Sequence, residues 1–488
     1  MERTELVTIT QEEFDEYNRL KSEVIWLKHQ LAELKRLIFG AKSERYIAPN
    51  PDQPTLFELP EETLIEKPQE EITYTRNKPE NKKQPLRLEI PSHLPRKVEI
   101  IEPENLPEDA KKIGENVTEI LEYEPASAYV RRIVRPKYIV EQNDEETRIV
   151  TAEMPTLPIP KGNAGPSMLA HILVSKFVDH LPFYRQVQIF KRQDLYIPES
   201  TIGGWFNAGC SLLEPLYEVL KTKIFSSDYL QADETPIPVL TNDKPGATHK
   251  GYYWVYHDPG NKLVLYDYQK SRGREGPDEL LKNFCGYLQT DGYTAYNNLQ
   301  NQLNIVHLAC MAHARRKFQH ALDNHPVLAA EALEMFGELY DIEQKAREGL
   351  LSNEEIRALR QLKSQPVLEK IEAWLKKQII HVLPKSAIGI AMAYTLTLWP
   401  RLVRYIDDGR LQIDNNLIEN AIRPVALGRK NYLFAGSHDA AQNAAMMYSF
   451  LATCKINNIE PFAWLRETLS IIPDYKVNQL HRLLPGQK

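Results

Sequence analysis

Three carboxylates in separate parts of the chain could share one chemical task. Asp233 lies in Asp228-Tyr-Leu-Gln-Ala-Asp-Glu-Thr-Pro236, and Asp291 closes Gly286-Tyr-Leu-Gln-Thr-Asp291. Glu419 lies in Gly409-Arg-Leu-Gln-Ile-Asp-Asn-Asn-Leu-Ile-Glu419. Carboxylate oxygens suit hard cations such as Mg²⁺. Two ions held about 3.5–4 Å apart can activate an attacking oxygen and stabilise a leaving 3′ oxygen, which is phosphodiester chemistry. Simpler roles stay open for each acid. An Asp at a strand end is often only a turn former, and Asn416-x-x-Glu419 fits a capping box, in which Glu merely closes a helix start. Against the second alternative stand the polar cluster Asp414, Asn415, Asn416 and the cations Arg423, Arg429 and Lys430, a mixture suited to phosphate and metal together.

The acids need strands and a helix to converge. Residues 228–240 read as a strand, His249–His257 as a second, and His257-Asp-Pro-Gly-Asn261 as a turn. Lys262–Gln269 alternates as a third strand, closing a hairpin. Pro277–Phe284 reads as a short helix, Gly286–Asp291 as a fourth strand and Asn304–Leu308 as a fifth. The order β-β-β-α-β-α-β is that of an RNase H-like core, which places the first and fourth strands side by side. From Asp233 to Asp291 is 58 positions (291 less 233), close to what the bare core needs. From Asp291 to Glu419 is 128 (419 less 291), too long for one strand and one helix. The excess reads as helical: Leu328, Met335, Phe336, Leu339 and Ile342 form one stripe, Ser352-x-x-Glu355 is a capping box, and Ile371, Trp374, Leu375 and Ile379 line a third element.

Upstream, residues from Thr10 to Phe39 read as one helix. Tyr17, Leu20, Val24, Leu27, Leu31, Leu34 and Ile38 alternate by three and four, the seam of a coiled coil, which implies self-association. An amphipathic helix docked on its own domain is the alternative. Gly40 ends it, and a Pro-rich stretch with abundant Glu and Lys follows as a linker. Residues 87–153 turn strand-like, and Tyr129–Val140 carries Arg131, Arg132, Arg135 and Lys137. That run suits either a β module with one basic face or a solvated edge protected by charge. Residues 167–223 read as helices. Tyr184–Gln193, a turn, and a helix from Thr201 capped by Ser200 suggest a helix-turn-helix, with Arg185, Gln186, Lys191 and Arg192 available to phosphates. Short helices joined by a turn are also common in any α domain.

Composition is consistent with a soluble globular protein: 42% hydrophobic and 26% charged residues over 488 positions, room for roughly three domains. The net charge of −6 argues mildly against a nucleic-acid partner, although local patches set the field DNA meets. The 4 cysteines form no Cys-x-x-Cys pair, so neither a disulfide framework nor a thiolate zinc site is suggested. The N-terminus lacks the apolar core of a signal peptide and no long apolar run exists, so a cytoplasmic protein is expected.

Taken together, these motifs resemble the insertion-sequence-66 family of DDE transposases across nearly the whole chain. The matching segments are Leu37-Ile-Phe-Gly-Ala-Lys-Ser-Glu-Arg45, Asp179-His-Leu-Pro-Phe-Tyr-Arg-Gln186, Asp233-Glu-Thr-Pro236, Asp291-Gly-Tyr293, Ile413-Asp-Asn-Asn-x-x-Glu419 and Arg423-Pro-Val-Ala-Leu-Gly-Arg-Lys-Asn431. The resemblance implies Asp233, Asp291 and Glu419 as the catalytic, metal-binding triad. It implies two Mg²⁺ (or Mn²⁺), cleavage at element ends and strand transfer into target DNA. Glu234 then stands behind the triad. In Cys310-Met-Ala-His313-Ala-Arg-Arg-Lys317, His313 would sit near the scissile phosphate, with Arg315, Arg316 and Lys317 on the backbone; an ordinary helix with a solvated basic face is the alternative. Cys310 and His313 are only two local ligands, which disfavours a metal there.

The family's zinc module, near residues 105–145, has no cysteines here, so no zinc is expected. Implied partners are DNA, further copies of the chain, and small accessory proteins of the same element, in the bacterial cytoplasm beside the nucleoid. The expected organisation is mixed α/β. It comprises a coiled-coil helix (1–46), a linker (47–86), a β module (87–160), a helical DNA-binding region (161–225), an RNase H-like core in two parts (226–320 and 409–440) around an all-α insertion (321–408), and C-terminal helices (441–488). Two competing functions are a nuclease that never joins and an inactive DNA-binding derivative.

Overall fold

The computed structural model describes residues 90–487, apart from 93, 104–106, 108–109, 125–126, 143–146, 242–245, 294–295 and 297–303. The expected coiled-coil helix and Pro-rich linker lie outside the described residues. What is described is mixed α/β, with two mixed sheets and twelve α-helices among those residues.

The first sheet comprises β1 (Arg96–Ile100), β2 (Lys111–Glu124), β3 (Ser127–Gln142) and β4 (Thr147–Thr151). The long strand β3 is its spine. β2 runs antiparallel along one side, while β1 (parallel) and β4 (antiparallel) share the other, pairing with successive stretches of β3. Three helices follow: α1 (Pro166–Phe177), α2 (Phe183–Lys191) and α3 (Glu199–Phe225). Here the sequence-based start of α3 needs correcting. Pro198, in extended geometry, is the cap, and Ser200 lies inside the first turn without a capping bond.

The second sheet carries β5 (Tyr229–Leu240), β6 (Thr248–Asp258), β7 (Leu263–Gln269), β8 (Gly286–Thr290) and β9 (Ile305–Ala309), with α4 (Glu275–Leu280) between β7 and β8. Its order is β7-β6-β5-β8-β9. The first three strands form antiparallel pairs and the last two join in parallel. The helix expected between β8 and β9 is not among the described residues. The outer strand β7 does not leave its amides bare. Val264 N donates to Thr453 Oγ1 (3.1 Å) and Tyr266 N to Ser449 Oγ (2.8 Å), so a later helix covers the edge.

After β9 come α5 (Met311–His320), α6 (Pro326–Glu348), α7 (Asn353–Leu359), a π-helical turn (Arg360–Ser364), α8 (Gln365–Gln378) and α9 (Ala387–Leu402). They bury a second apolar cluster, including Phe318, Phe336, Leu339, Ile371, Leu375 and Met392. The predicted capping box at Ser352 and Glu355 starts α7. A polar clamp sits inside this cluster. Arg360 is 2% exposed and pairs through two nitrogens with Glu343 (2.8 and 2.7 Å), while its third donates to the Tyr405 and Asp408 carbonyls (both 2.9 Å). The chain then returns to the second sheet through α10 (Asn416–Tyr432) and α11 (His438–Ile456), and α12 (Pro461–Ile471) packs on α1. No helix among the described residues is long and apolar enough to cross a membrane.

Candidate active site

Register brings the first two acids together. β5 and β8 pair in parallel with Gln231 opposite Gln289. Continued two residues, that register sets Asp233 beside Asp291, and neighbouring strands lie about 4.8 Å apart. Residues 229, 231 and 233 share one face of the sheet. On that face Gln231 Nε2 donates to Gln289 Oε1 (3.0 Å) and to the Asp414 carbonyl (3.0 Å). Gln289 Nε2 donates to the Gln412 carbonyl (2.8 Å), and Gln412 N donates to the Tyr229 hydroxyl (3.0 Å). Side chains two residues ahead of each Asp thus strap segment 410–415 across the strand ends.

The strap delivers Glu419. Asn415 N donates to Cys310 Sγ (3.2 Å) and its amide reaches the Ala232 carbonyl (3.4 Å), so α10 begins beside Asp233. The capping box proposed for Asn416 and Glu419 does not form. Asn415 is the cap residue, Asn416 turns back to Asp414 Oδ2 (2.8 Å), and Glu419 spends nothing on the helix start. Instead, His313 Nε2 lies 3.8 Å from Glu419 Oε1 and Arg316 Nη2 lies 3.4 Å from Oε2. Glu419 Oε1 is buried and has no hydrogen-bond partner.

The loop after β8 is shaped by its glycine. Asp291 Oδ1 accepts from Tyr293 N (2.8 Å), and the Asp291 carbonyl accepts from the Tyr394 hydroxyl on α9 (2.8 Å). Gly292 holds φ +91°, and a Cβ there would stand 2.9 Å from Leu398 and 3.2 Å from the Tyr394 oxygen. Only glycine accepts both the backbone and the approach of α9. The Lys317 ammonium lies 4.4 Å from the centre of the Tyr394 ring, bracing that contact rather than reaching outward as expected.

Electrostatics register the convergence. Burial pushes the Asp233 carboxyl up to about 8, and the charges of Asp291, Glu234 and Glu419 add to it, against the hydrogen bond from Glu234 N. Burial also raises Glu234, opposed by Arg272, whose Nε donates to Glu234 Oε1 (2.9 Å) while its guanidinium stacks 3.9 Å from the Tyr293 ring centre. Burial lowers His313 more than Glu419 raises it, leaving a neutral imidazole at neutral pH. Sequence reasoning missed Arg272, Tyr394, Gln231 and Gln289. The glutamines carried a signal, since each is a polar residue in a buried strand two positions before an acid. Arg272 and Tyr394 carried none.

The other expected contacts are distributed differently. Arg423 and Lys430 are exposed on α10. Arg429 turns one nitrogen inward, donating to Thr235 Oγ1 (3.0 Å) and the Pro236 carbonyl, so it fastens α10 to β5. On β3, Arg131, Arg135 and Lys137 share one face, and Arg132 points to the other. Arg131 lies 3.7 Å from Glu122 and 4.0 Å from Glu99, and Arg135 donates to the Ala152 carbonyl (3.2 Å). Gln186 is buried against the Ile172 and Leu181 carbonyls, whereas Arg185, Lys191 and Arg192 are exposed. As a recognition helix α3 is poorly suited: one side is core from Ile202 to Ile224, and the exposed side carries Glu214 and Glu218.

Oxygen-only donors with an unpartnered buried Glu419 oxygen fit a hard divalent cation. Among the described residues, no group of three or more His, Cys, Asp or Glu side chains is gathered closely enough to hold an ion unaided. Mg²⁺ habitually completes its shell with water and substrate phosphate, so the protein need not supply every ligand.

Asp233 and Asp291 thus lie at neighbouring strand ends, with the Glu419 charge near enough to act on Asp233. The Transposase IS66 family model matches residues 161–443, the model described as Transposase C of IS166 homeodomain matches 26–98, and the IS66 C-terminal element matches 449–485. The chain belongs to the IS66 transposase family. Three Sinorhizobium fredii relatives are similar along most of their length. Uncharacterized protein y4jD is 33% identical, covering 96% of this chain and 95% of its own. Uncharacterized protein y4qI is 33% identical (93% and 87%), and Uncharacterized protein y4hP is 32% identical (83% and 77%).

Proposed function

We propose that the chain cuts DNA at the ends of its element and joins the freed 3′ hydroxyl to target DNA, with Asp233, Asp291 and Glu419 as the catalytic carboxylates. The observation that carries this is the parallel register that sets Asp233 beside Asp291, where burial and the charges of Asp291, Glu234 and Glu419 push the Asp233 carboxyl up to about 8. A protein keeps mutually repelling acids in a partly buried cleft at a cost in stability, and perturbed carboxylates of this kind mark functional sites. The strand order, three antiparallel strands followed by two parallel ones, supports reading the sheet as an RNase H-like core.

Transposases of the DDE group use divalent metal, and here Asp233, Asp291 and Glu419 would hold it. When bound, such ions polarise the phosphoryl oxygens and make a water or 3′ hydroxyl more nucleophilic. The chain's own residues do the rest. Arg272 keeps Glu234 turned away from the acids. Tyr394 and Gly292 fix the Asp291 loop. Arg316 and the neutral His313 flank Glu419 and present N–H donors to a phosphate.

The test supplies pre-cut element ends, plasmid and Mg²⁺ to the full chain. Joined products are expected, and Asp233→Asn should abolish them while DNA binding persists. Cleavage without joining would make the chain a nuclease. Undiminished joining by Asp233→Asn would remove Asp233 from the site.

A further inference from the structure

A cavity of about 750 Å³ opens at the far end of α10, lined by α1, α2, α3, α10 and α11. It lies apart from the acids: Ile237, on its wall, is four residues along β5 from Asp233, about 13 Å. Tyr432 is thirteen residues along α10 from Glu419, about 20 Å. Its lining is aromatic rather than aliphatic. Phe183 and Phe206 meet edge to face at 5.6 Å, Tyr432 closes one side, and Tyr184 (50% exposed) and Phe434 (42% exposed) stand at the mouth. Leu433, between Tyr432 and Phe434, holds φ +24°, a conformation that L-residues rarely adopt.

The polar groups are few and placed. The Lys176 ammonium lies 3.9 Å from the Phe183 ring centre and 5.1 Å from that of Tyr432. Asn443 donates to Asn207 (3.2 Å), which leaves an N–H₂ on Asn207 and a carbonyl on Asn443 directed to other partners. At the rim Arg185 donates to Asn431 (3.1 Å) and to the Tyr184 hydroxyl (3.0 Å). An aliphatic protein segment would desolvate the lysine and the amides without answering them. A nucleotide answers the rings and the polar groups: the base stacks on the rings, its edge meets the amides and Glu199, and its phosphates meet the cations Lys176 and Arg185.

We propose that this groove binds an unstacked nucleobase of the DNA strand handled at the carboxylates, a few nucleotides from the reacting phosphate. The distance to that phosphate rests on the carboxylates being the active site; the base binding itself does not. The test uses the full chain in EDTA, where cleavage plays no part. Two fluorescent single strands of roughly twelve nucleotides serve as probes, within the span such grooves occupy. One is oligo-dT and the other is the same backbone without bases.

The wild type is expected to prefer oligo-dT by about 5- to 100-fold, the range that base–aromatic stacking provides. Tyr184→Ala combined with Phe434→Ala should erase most of that preference, while Tyr184→Phe with Phe434→Tyr keeps it. Both positions are exposed, and matched melting curves establish that the variants are folded. An equal preference in the wild type and the alanine variant would overturn the proposal. So would an alanine variant that keeps the preference and alters only the mass in light scattering, which would give the groove to a second copy.

Discussion

Replacing Asp233 by Asn should stabilise the metal-free protein while abolishing its chemistry. The carboxyl's ordinary value of 3.8 rises to about 8 in the folded chain. That is about 4 units at roughly 1.4 kcal/mol each, so ionisation costs the fold at most about 6 kcal/mol, and solvent at the cleft mouth screens part of it. The sign follows from proton counts. Between pH 4 and 8 the folded chain keeps a proton that the unfolded chain has lost, so stability declines as pH rises through this window and levels off above it. Asn carries no charge and pays no such penalty. The variant should therefore melt within a degree or so of wild type at pH 4 and on the order of 5 °C higher at pH 8.5. Mg²⁺ should then narrow that gap, because an ion at one hundred times its dissociation constant adds about 2.7 kcal/mol to the protein that binds it. Differential scanning fluorimetry in EDTA and in Mg²⁺ reads both effects. A variant less stable than wild type at pH 8.5 in EDTA, or equally stabilised by Mg²⁺, would refute the reasoning.

Three further outcomes follow from named contacts. Arg316→Ala should weaken DNA binding and lower the slope of log affinity against log salt by about 1, one phosphate contact's share; an unchanged slope would return Arg316 to a purely local role beside Glu419. Arg360→Met should cost roughly 3–5 kcal/mol in urea unfolding by stranding the buried Glu343 charge, and adding Glu343→Leu should recover most of it; a double variant as unstable as the single would locate the loss in the Tyr405 and Asp408 carbonyl bonds. Deleting residues 1–40 should lower the oligomeric state in light scattering, and an unchanged mass would dispose of the coiled coil.

The chemistry-bearing parts of the chain were legible because period and turn chemistry are local. The hairpin of β6 and β7, the ends of β8 and β9, and the Ser352 capping box lie within a few residues of where alternation, Asp-Pro-Gly and Ser-x-x-Glu place them. What failed was whatever depends on distant partners. Ser200 is a good capping residue, but Pro198 ends the preceding loop first. Asn416 and Glu419 have capping spacing, but Asp414 takes the Asn416 amide. Of the basic residues on β3, alternation sets Arg132 apart from Arg131, Arg135 and Lys137, and Glu99 and Glu122 draw in Arg131. Nothing local to Arg429 announces its bonds to Thr235 and the Pro236 carbonyl on β5.

The long gap before Glu419 is the most instructive of these features, because sequence distance is a poor measure of what it costs to place a side chain. Closing a flexible loop of 128 residues rather than 20 would cost only about 2 kcal/mol more, since the entropy grows with the logarithm of length. The insertion also brings its own core, so most of that length is already ordered. What must be specific is the return. Arg360 holds the carbonyl of Asp408, Arg410 pairs with Asp228 (2.7 Å) at the start of β5, and Gln231 and Gln289 receive the next residues on the sheet. Each grip lies within a few residues of the next, so Glu419 arrives beside Asp233 by a chain of short contacts. It follows that loosening the strap at Gln231 or Gln289 should harm turnover as much as altering the acid it delivers, whereas lengthening an exposed loop inside the insertion should not.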